Sequence, residues 1–509
     1  MKRILIIITL FISTLLVGQI SPQSKKITKK FFPDSESIEN TTPALQKKRG
    51  YTNYKELLSF LNGLVAKHPK KIQLTFIGES QKGKRIPMVR LTNPNEKEKI
   101  KVWMQGGLHG NESASTEGML YLLDKLLNDT QYTTLLDKVD LMIVPMANID
   151  GYLKQDRYAA NGLDLNRDQT KLMAPESIVL KQAFTDFNPE VGVDFHEYRP
   201  YRKDFAQLSN FGITSLYDAM FLYTGNLNVP ENLRELTDKV FVENARKVLD
   251  ENKFRHHPYM STTKVKGEIH FNHGSISARS SASNYALTNT ISSLIEVRGV
   301  GLGRTSFKRR IQITFLIAIS YLKTASESMK LVKEEIDKAS QLKNDAVVTS
   351  TRSVYKDKIE AIDLDTNELI ELEVTLRDAL KATPKITRKR PIAYLIDADQ
   401  KEIIEKLKIL GVELEELVQD TEIIVETFLV KKYDKNTKKY EKMNQQTVSV
   451  KLIEETKKFK KGTYKVSMNQ RRSNIIIEVL EPEAPNSFVS FGVLKTSKGA
   501  MLPIYRILN

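Results

Sequence analysis

The sequence predicts an α/β fold, a mixed, mostly parallel sheet with helices on both faces, followed by a smaller β-rich α+β domain. Three observations carry this expectation. The length of 509 residues, at ~100–200 residues per domain, calls for two to four domains. From Tyr51 to about residue 335, helical periodicity alternates with short, continuously apolar strands, the pattern of a sheet covered on both faces. Beyond Arg390, strand-like runs separated by turn residues replace that alternation.

Each element has its own signal. Helices are expected over 54–66, 117–127, from Pro175 to the stop at Asn188-Pro189, 232–249 and 307–322. The apolar run 311–322 is twelve residues long and follows Arg309-Arg310, so it reads as a core helix, too short for the ~20 residues of a membrane span. A charged helix then runs to about Lys343, and 359–362 with 369–374 flank the turn Asp365-Thr366-Asn367. This helix-and-hairpin connector, 336–384, ends where Thr383-Pro384 and Arg388-Lys389-Arg390-Pro391 mark a boundary. In the accessory domain, 385–509, strands are expected over 392–396, 422–430, 447–453, 464–468, 475–480 and 488–493, with a helix over 400–410 stopped by Gly411. At the other end, Lys2-Arg3, the apolar run 4–17 and Gly18-Gln19 read as a signal peptide over 1–20, which implies export to a periplasmic or extracellular space and no membrane span once it is removed. Residues 21–50, polar, basic and without a buried period, read as a tether.

Composition narrows the chemistry. With 40% hydrophobic and 28% charged residues the chain is neither disordered nor a multi-span membrane protein. Zero cysteines exclude disulfides, thiolate metal sites and a cysteine nucleophile. A net charge of +16 raises the question of nucleic acid. Apart from Phe31-Phe32 no aromatics interleave the N-terminal lysines, and an exported protein seldom meets such a partner, so none is expected.

Four strands of the α/β domain end in residues able to do chemistry, where open α/β sheets place their ligands. They lead into His109-Gly110-Asn111-Glu112, Asn148-Ile149-Asp150-Gly151, His196 and Glu296. His109 and Glu112 lie on one turn and can chelate one ion. His196 is the candidate third ligand, leaving a fourth position open as in catalytic zinc sites. Taken alone, an HxxE pair is common by chance, and a lone His is more often a satisfied core or surface residue. Gly106-Gly107 ahead of His109 permits close backbone approach. Glu296, at the tip of a buried strand, is the candidate base; its bland alternative is an ion pair with Arg298. Asn166 and Arg167 suit a substrate carboxylate, Arg157 an oxyanion, and Asp164 can orient an imidazole. Any one of these taken singly reads as a surface ion pair.

In order, His109-Gly-Asn-Glu112, Asn148-Ile-Asp-Gly-Tyr152, Gly162-Leu-Asp-Leu-Asn-Arg167, Asp194-Phe-His196 and Glu296-Val-Arg resemble the zinc carboxypeptidase family over about 51–333. Gly78-Glu-Ser80 and Gly83-Lys-Arg-Ile-Pro87 are similar to that family's first hairpin. The resemblance implies one Zn2+ held by His109, Glu112 and His196, with Glu296 as general base and acid. It also implies Arg157 at the oxyanion, Asn166 and Arg167 at the substrate's terminal carboxylate, and Asp164 behind His109. Peptide or protein C-termini would be the substrates. The family usually has Asn-Pro-Asp-Gly where this chain has Asn148-Ile-Asp-Gly. The mobile tyrosine that closes over substrate has Tyr285 as its nearest candidate here. Arg279 is a candidate further anion contact, and His256-His257 with His270-x-x-His273 a rival metal site, read more simply as the cleft's polar rim.

Two other functions are consistent with these residues. One is an amidase or deacylase acting on cell-wall peptides or N-acyl amino acids, which cleft contents would distinguish. The other is a non-catalytic module that grips C-termini, against which the complete set His109, Glu112, His196 and Glu296 argues.

Overall fold

The computed structural model describes residues 22–95 and 97–508; the expected signal peptide lies outside them. An eight-stranded sheet organises the first domain, in the order Ile72–Glu79, Arg85–Leu91, Val139–Val144, Ile100–Gly106, Val191–Tyr198, Ile291–Arg298, Ala219–Leu222, His256–Pro258. The four central strands run parallel, and the flanking pairs supply the antiparallel joints. Parallel strands are buried on both faces, and Val191–Tyr198 has no exposed residue.

The helices stop and start where their caps dictate. Asn53 accepts from the Glu56 amide at 3.0 Å and donates its own amide to the Glu56 carboxylate at 2.8 Å, a reciprocal cap that opens Tyr54–Lys67. Pro175 opens Pro175–Phe187, which Asn188 closes in the left-handed conformation. The apolar helix Phe307–Glu327 packs on Ser113–Asn128 as a core helix. Among the described residues no helix is long and apolar enough to cross a membrane.

Two boundaries differ from expectation. Residues 22–50 are part of the fold instead of a tether. Ser24 caps the helix Lys25–Phe31, and Ile27, Phe31 and Phe32 are buried with Leu216 and Ile362. Further on, the Ala44 amide and the Thr52 hydroxyl donate to the buried Glu117 carboxylate at 2.8 and 2.6 Å. The anchors are too widely spaced to leave a period in the sequence. Second, the connector hairpin is far longer than its turn signals indicate. Its strands, Ala346–Asp363 and Leu369–Arg388, run through Pro384, where repeated register shifts accommodate a residue with no amide to donate. They share a five-stranded sheet with Ile213–Ser215, Met260–Val265 and Glu268–His273, so the hairpin continues the α/β domain.

The accessory domain is built on a six-stranded antiparallel sheet, Glu415–Glu416, Tyr464–Ser467, Ala393–Ile396, Met501–Ile507, Thr421–Lys435, Gln446–Phe459. Residues 475–480, read as a strand, belong to the helix Ser473–Leu480; the stretch 488–493 forms turns, and the strand Met501–Ile507 was not foreseen. Every residue of Ser473–Leu480 is buried, so the run carries no polar face from which a helical period could be read.

Candidate active site

The site is assembled by three neighbouring parallel strands. Glu296 pairs in register with His196, which puts both side chains on the same face at the strand ends. Gly106 is level with Phe195 on the next strand, and the chain then turns through Gly107 and Leu108 to His109. Gly107 has φ +64°, and a Cβ there would lie 2.5 Å from the Thr116 hydroxyl. A Cβ on Gly110 would lie 2.1 Å from the Gly151 carbonyl carbon, so the His109-to-Glu112 turn seats directly on the Asn148-to-Tyr152 turn. The expected closeness of this glycine-rich lead-in is therefore present.

His109, Glu112 and His196 bring one donor atom each to within 4.8 Å of one another, the single such group among the described residues. All three are nearly inaccessible to solvent. Glu112 lies 2.7 Å from His109 Nδ1 and 2.8 Å from His196 Nδ1, and the two Nδ1 atoms face each other at 3.0 Å. Behind them, His109 Nε2 meets Asp164 at 3.0 Å and His196 Nε2 meets Asp194 at 2.8 Å. These outer carboxylates assign the ring protons to Nε2, which turns two Nδ1 lone pairs toward one point. Without a cation or an added proton, two lone pairs and a buried carboxylate repel there. Burial opposes charge on both Glu112 and His196. Attraction prevails: His109 and then His196 hold Glu112 well below the usual carboxylate range, and Asp194 and then Glu112 raise His196. The two-nitrogen, one-carboxylate donor set fits zinc with an open position.

A cleft of about 490 Å³ opens beside this group, lined among others by His109, Arg157, Asn166, Arg167 and Glu296. Arg157 is braced by Asp164, with Nη2 and Nε at 2.8 and 3.1 Å, and its Nη1 stands 3.6 Å from Glu112. Asn166 is fixed by the Ser281 amide at 2.8 Å, and its carbonyl holds Arg167 Nη1 at 2.8 Å. Burial, reinforced by the nearby Glu112 charge, pushes the Glu296 carboxyl up to about 7. Glu296 Oε2 is buried with no hydrogen-bond partner. Arg298, the alternative partner considered for Glu296, instead donates to Gln23 and Thr214 at 2.9 and 3.0 Å. A carboxyl with an uncommitted oxygen beside a candidate metal site could carry a proton in a hydrolysis.

Tyr285 is a correction. It lies in the core, stacked on Phe184 with centroids 4.0 Å apart and its hydroxyl bonded to Gln105 at 3.1 Å, and it does not line the cleft. The short helix Ser281–Ala286 turns it inward. Two other tyrosines, Tyr198 and Tyr259, do line it. The rival histidines are separately occupied. His256 meets Asp250 at 3.0 Å, His257 Nδ1 donates to the Pro258 carbonyl at 2.7 Å, and His273 is 3.5 Å from Asp378.

Sequence reasoning missed several contributors. Asp194 precedes His196 by two, hence shares its face, and strand period alone would have found it. From the accessory domain, Glu441 accepts the Asp164 amide at 2.9 Å, and Tyr440 lies 4.8 Å from the guanidinium of Arg279, itself a cleft residue. Nothing local in the sequence announces those two.

Residues 57–212 match the family described as zinc carboxypeptidase. This chain is 29% identical over 442 residues to carboxypeptidase 2 of Trichophyton rubrum, covering 84% of this chain and 81% of that protein. Over 168 residues it is 33% identical to human carboxypeptidase D, 28% of this chain and 12% of that protein. Among solved structures, carboxypeptidase A of Helicoverpa armigera is 20% identical, with a TM-score of 0.43 over 56% of this chain and 78% of that one. The matched segment contains His109, Glu112 and His196, so residues 57–212 carry a zinc carboxypeptidase domain.

Proposed function

We propose that the enzyme removes the C-terminal residue of peptides or proteins, with zinc held by His109, Glu112 and His196 and with Glu296 as the proton carrier. The observation that carries this is the pairing in register of Glu296 with His196, which sets an uncommitted, half-titrating carboxyl next to the donor group at the cleft wall. Zinc bound there supplies Lewis acidity toward a carbonyl and toward water. Glu296 takes a proton from the attacking water and returns it to the departing amine nitrogen, a task suited to a carboxyl that ionises near neutral pH. Asn166 and Arg167 hold the terminal carboxylate, the guanidinium fork matching its two oxygens. Arg157, with Asp164 behind it, faces the oxygen on which negative charge develops. Asp164 and Asp194 keep the two imidazoles in the tautomer and orientation that ligation needs. Export is part of the proposal and rests on the sequence of residues 1–20.

The test is mass spectrometry of a peptide library, together with cell-wall peptide fragments, incubated with wild type and with Glu296→Gln. Single C-terminal residues should leave peptides with wild type only, and a chelator should abolish release. Equal turnover by the Gln variant would remove Glu296 from the mechanism, and release from cell-wall fragments alone would replace the substrate class.

A further inference from the structure

The cleft is unusually rich in unpaired positive charge. Six arginines line it, at 157, 167, 199, 202, 279 and 352, against two carboxylates, Glu197 and Glu296. Glu197 is already neutralised by Arg310 at 2.6 Å. Of the arginines, Arg157 has Asp164; among the described residues no carboxylate lies within 4.0 Å of the other five guanidinium groups. Part of that charge serves the substrate's terminal carboxylate, through Arg167. The remainder exceeds what one carboxylate needs.

Arg352 stands apart from the rest because it comes from the long hairpin following the α/β core. It sits at a break in the hairpin ladder: Thr351 pairs with Thr383 while Ser353 pairs with Asp378. Bulges of this kind re-aim a side chain, and here the guanidinium reaches the cleft, where Nη1 donates to Asn272 Oδ1 at 2.9 Å. Arg377 is its charged neighbour and is also cationic. Near Glu296 the cleft wall is apolar. Leu294 precedes Glu296 by two on the same strand face and pairs across with Leu222, and both line the cavity. Two leucines and a half-buried arginine without a carboxylate partner line the same cavity, a combination that matches a short methylene stem ending in a negative charge.

We propose that the enzyme selects substrates whose C-terminal residue is acidic, glutamate or aspartate, and that Arg352 receives the side-chain carboxylate. This rests on the carboxypeptidase reading of the cleft. Burial and the neighbouring Arg377 charge both disfavour the Arg352 cation, a cost that an anionic ligand would offset.

The experiment compares release of Glu, Asp, Leu and Lys from peptides that differ only at the last position, in the zinc-loaded full chain. Wild type should favour Glu or Asp over Leu and Lys by at least about tenfold in kcat/KM. Arg352→Ala should lose that preference while its rate on the Leu peptide stays within about threefold of wild type. Arg352→Glu should move the preference toward Lys. A wild-type preference for Leu or Lys, or an equal loss on every peptide in Arg352→Ala, would overturn the proposal. Calorimetric binding of the same peptides to Glu296→Gln provides a second readout. If no peptide is cleaved, the carboxypeptidase reading falls, and the pocket is still decided by whether the Glu peptide binds about tenfold tighter than the Leu peptide or equally well.

Discussion

Replacing Glu478 by Gln probes how the accessory domain is joined to the catalytic one. Glu478 lies on the helix Ser473–Leu480, is 5% exposed, and accepts from the side-chain amides of Asn226 and Asn228 at 2.7 and 2.8 Å, both in the catalytic domain. Burial pushes its carboxyl from 4.5 up to about 7, the two amides offsetting only part of the cost. A group whose folded pKa is raised contributes stability that is complete below the unfolded value of 4.5 and is lost as pH rises through about 7. At about 1.4 kcal/mol per pKa unit, the loss amounts to about 3 kcal/mol. Gln presents the same accepting oxygen and has no proton to lose. In urea unfolding followed by circular dichroism, Glu478→Gln should match wild type near pH 4.5 and exceed it by about 3 kcal/mol near pH 8.5. The other titrating groups are common to both proteins and cancel in the difference. A stability difference that stays constant between those two pH values would refute the reasoning.

Further tests follow from single contacts. Asp194→Asn, which weakens the orienting partner of His196, should reduce zinc affinity by about 10–100-fold in a chelator competition, with an unchanged circular dichroism spectrum. Glu441→Ala removes the acceptor for the Asp164 amide and should lower kcat/KM by about fivefold at unchanged zinc stoichiometry, which would tie the accessory domain to the site. Phe32→Ala, at a ring buried beneath the Arg298 guanidinium 4.2 Å away, should cost about 3 kcal/mol in the same urea assay; a loss near zero would return residues 22–50 to the status of a tether.

What the sequence made legible was whatever local geometry controls. Apolar strands with reactive residues at their ends fixed the position of His109, His196 and Glu296, and the spacing of His109 and Glu112 fixed one turn. Tyr285 was misplaced because proximity along the chain says nothing about which way a short helix turns its side chains. Residues 475–480 were misread because burial on every side erases periodicity, and β-branched Ile475, Ile476 and Ile477 favour a strand until packing overrides them. Glu441 and Arg352 were invisible for a different reason. Glu441 reaches the Asp164 amide and Arg352 reaches the cleft, each from a hairpin far along the chain, through contacts that only the tertiary fold creates.

The most direct measurement is the zinc content of the purified, metal-supplemented chain by plasma mass spectrometry, for wild type, His196→Ala, Glu112→Gln and Glu296→Gln. One donor group of His109, Glu112 and His196 predicts one zinc per chain in wild type and in Glu296→Gln, and loss of that zinc in the other two. Wild type without zinc, or full zinc retained by His196→Ala, would contradict the account.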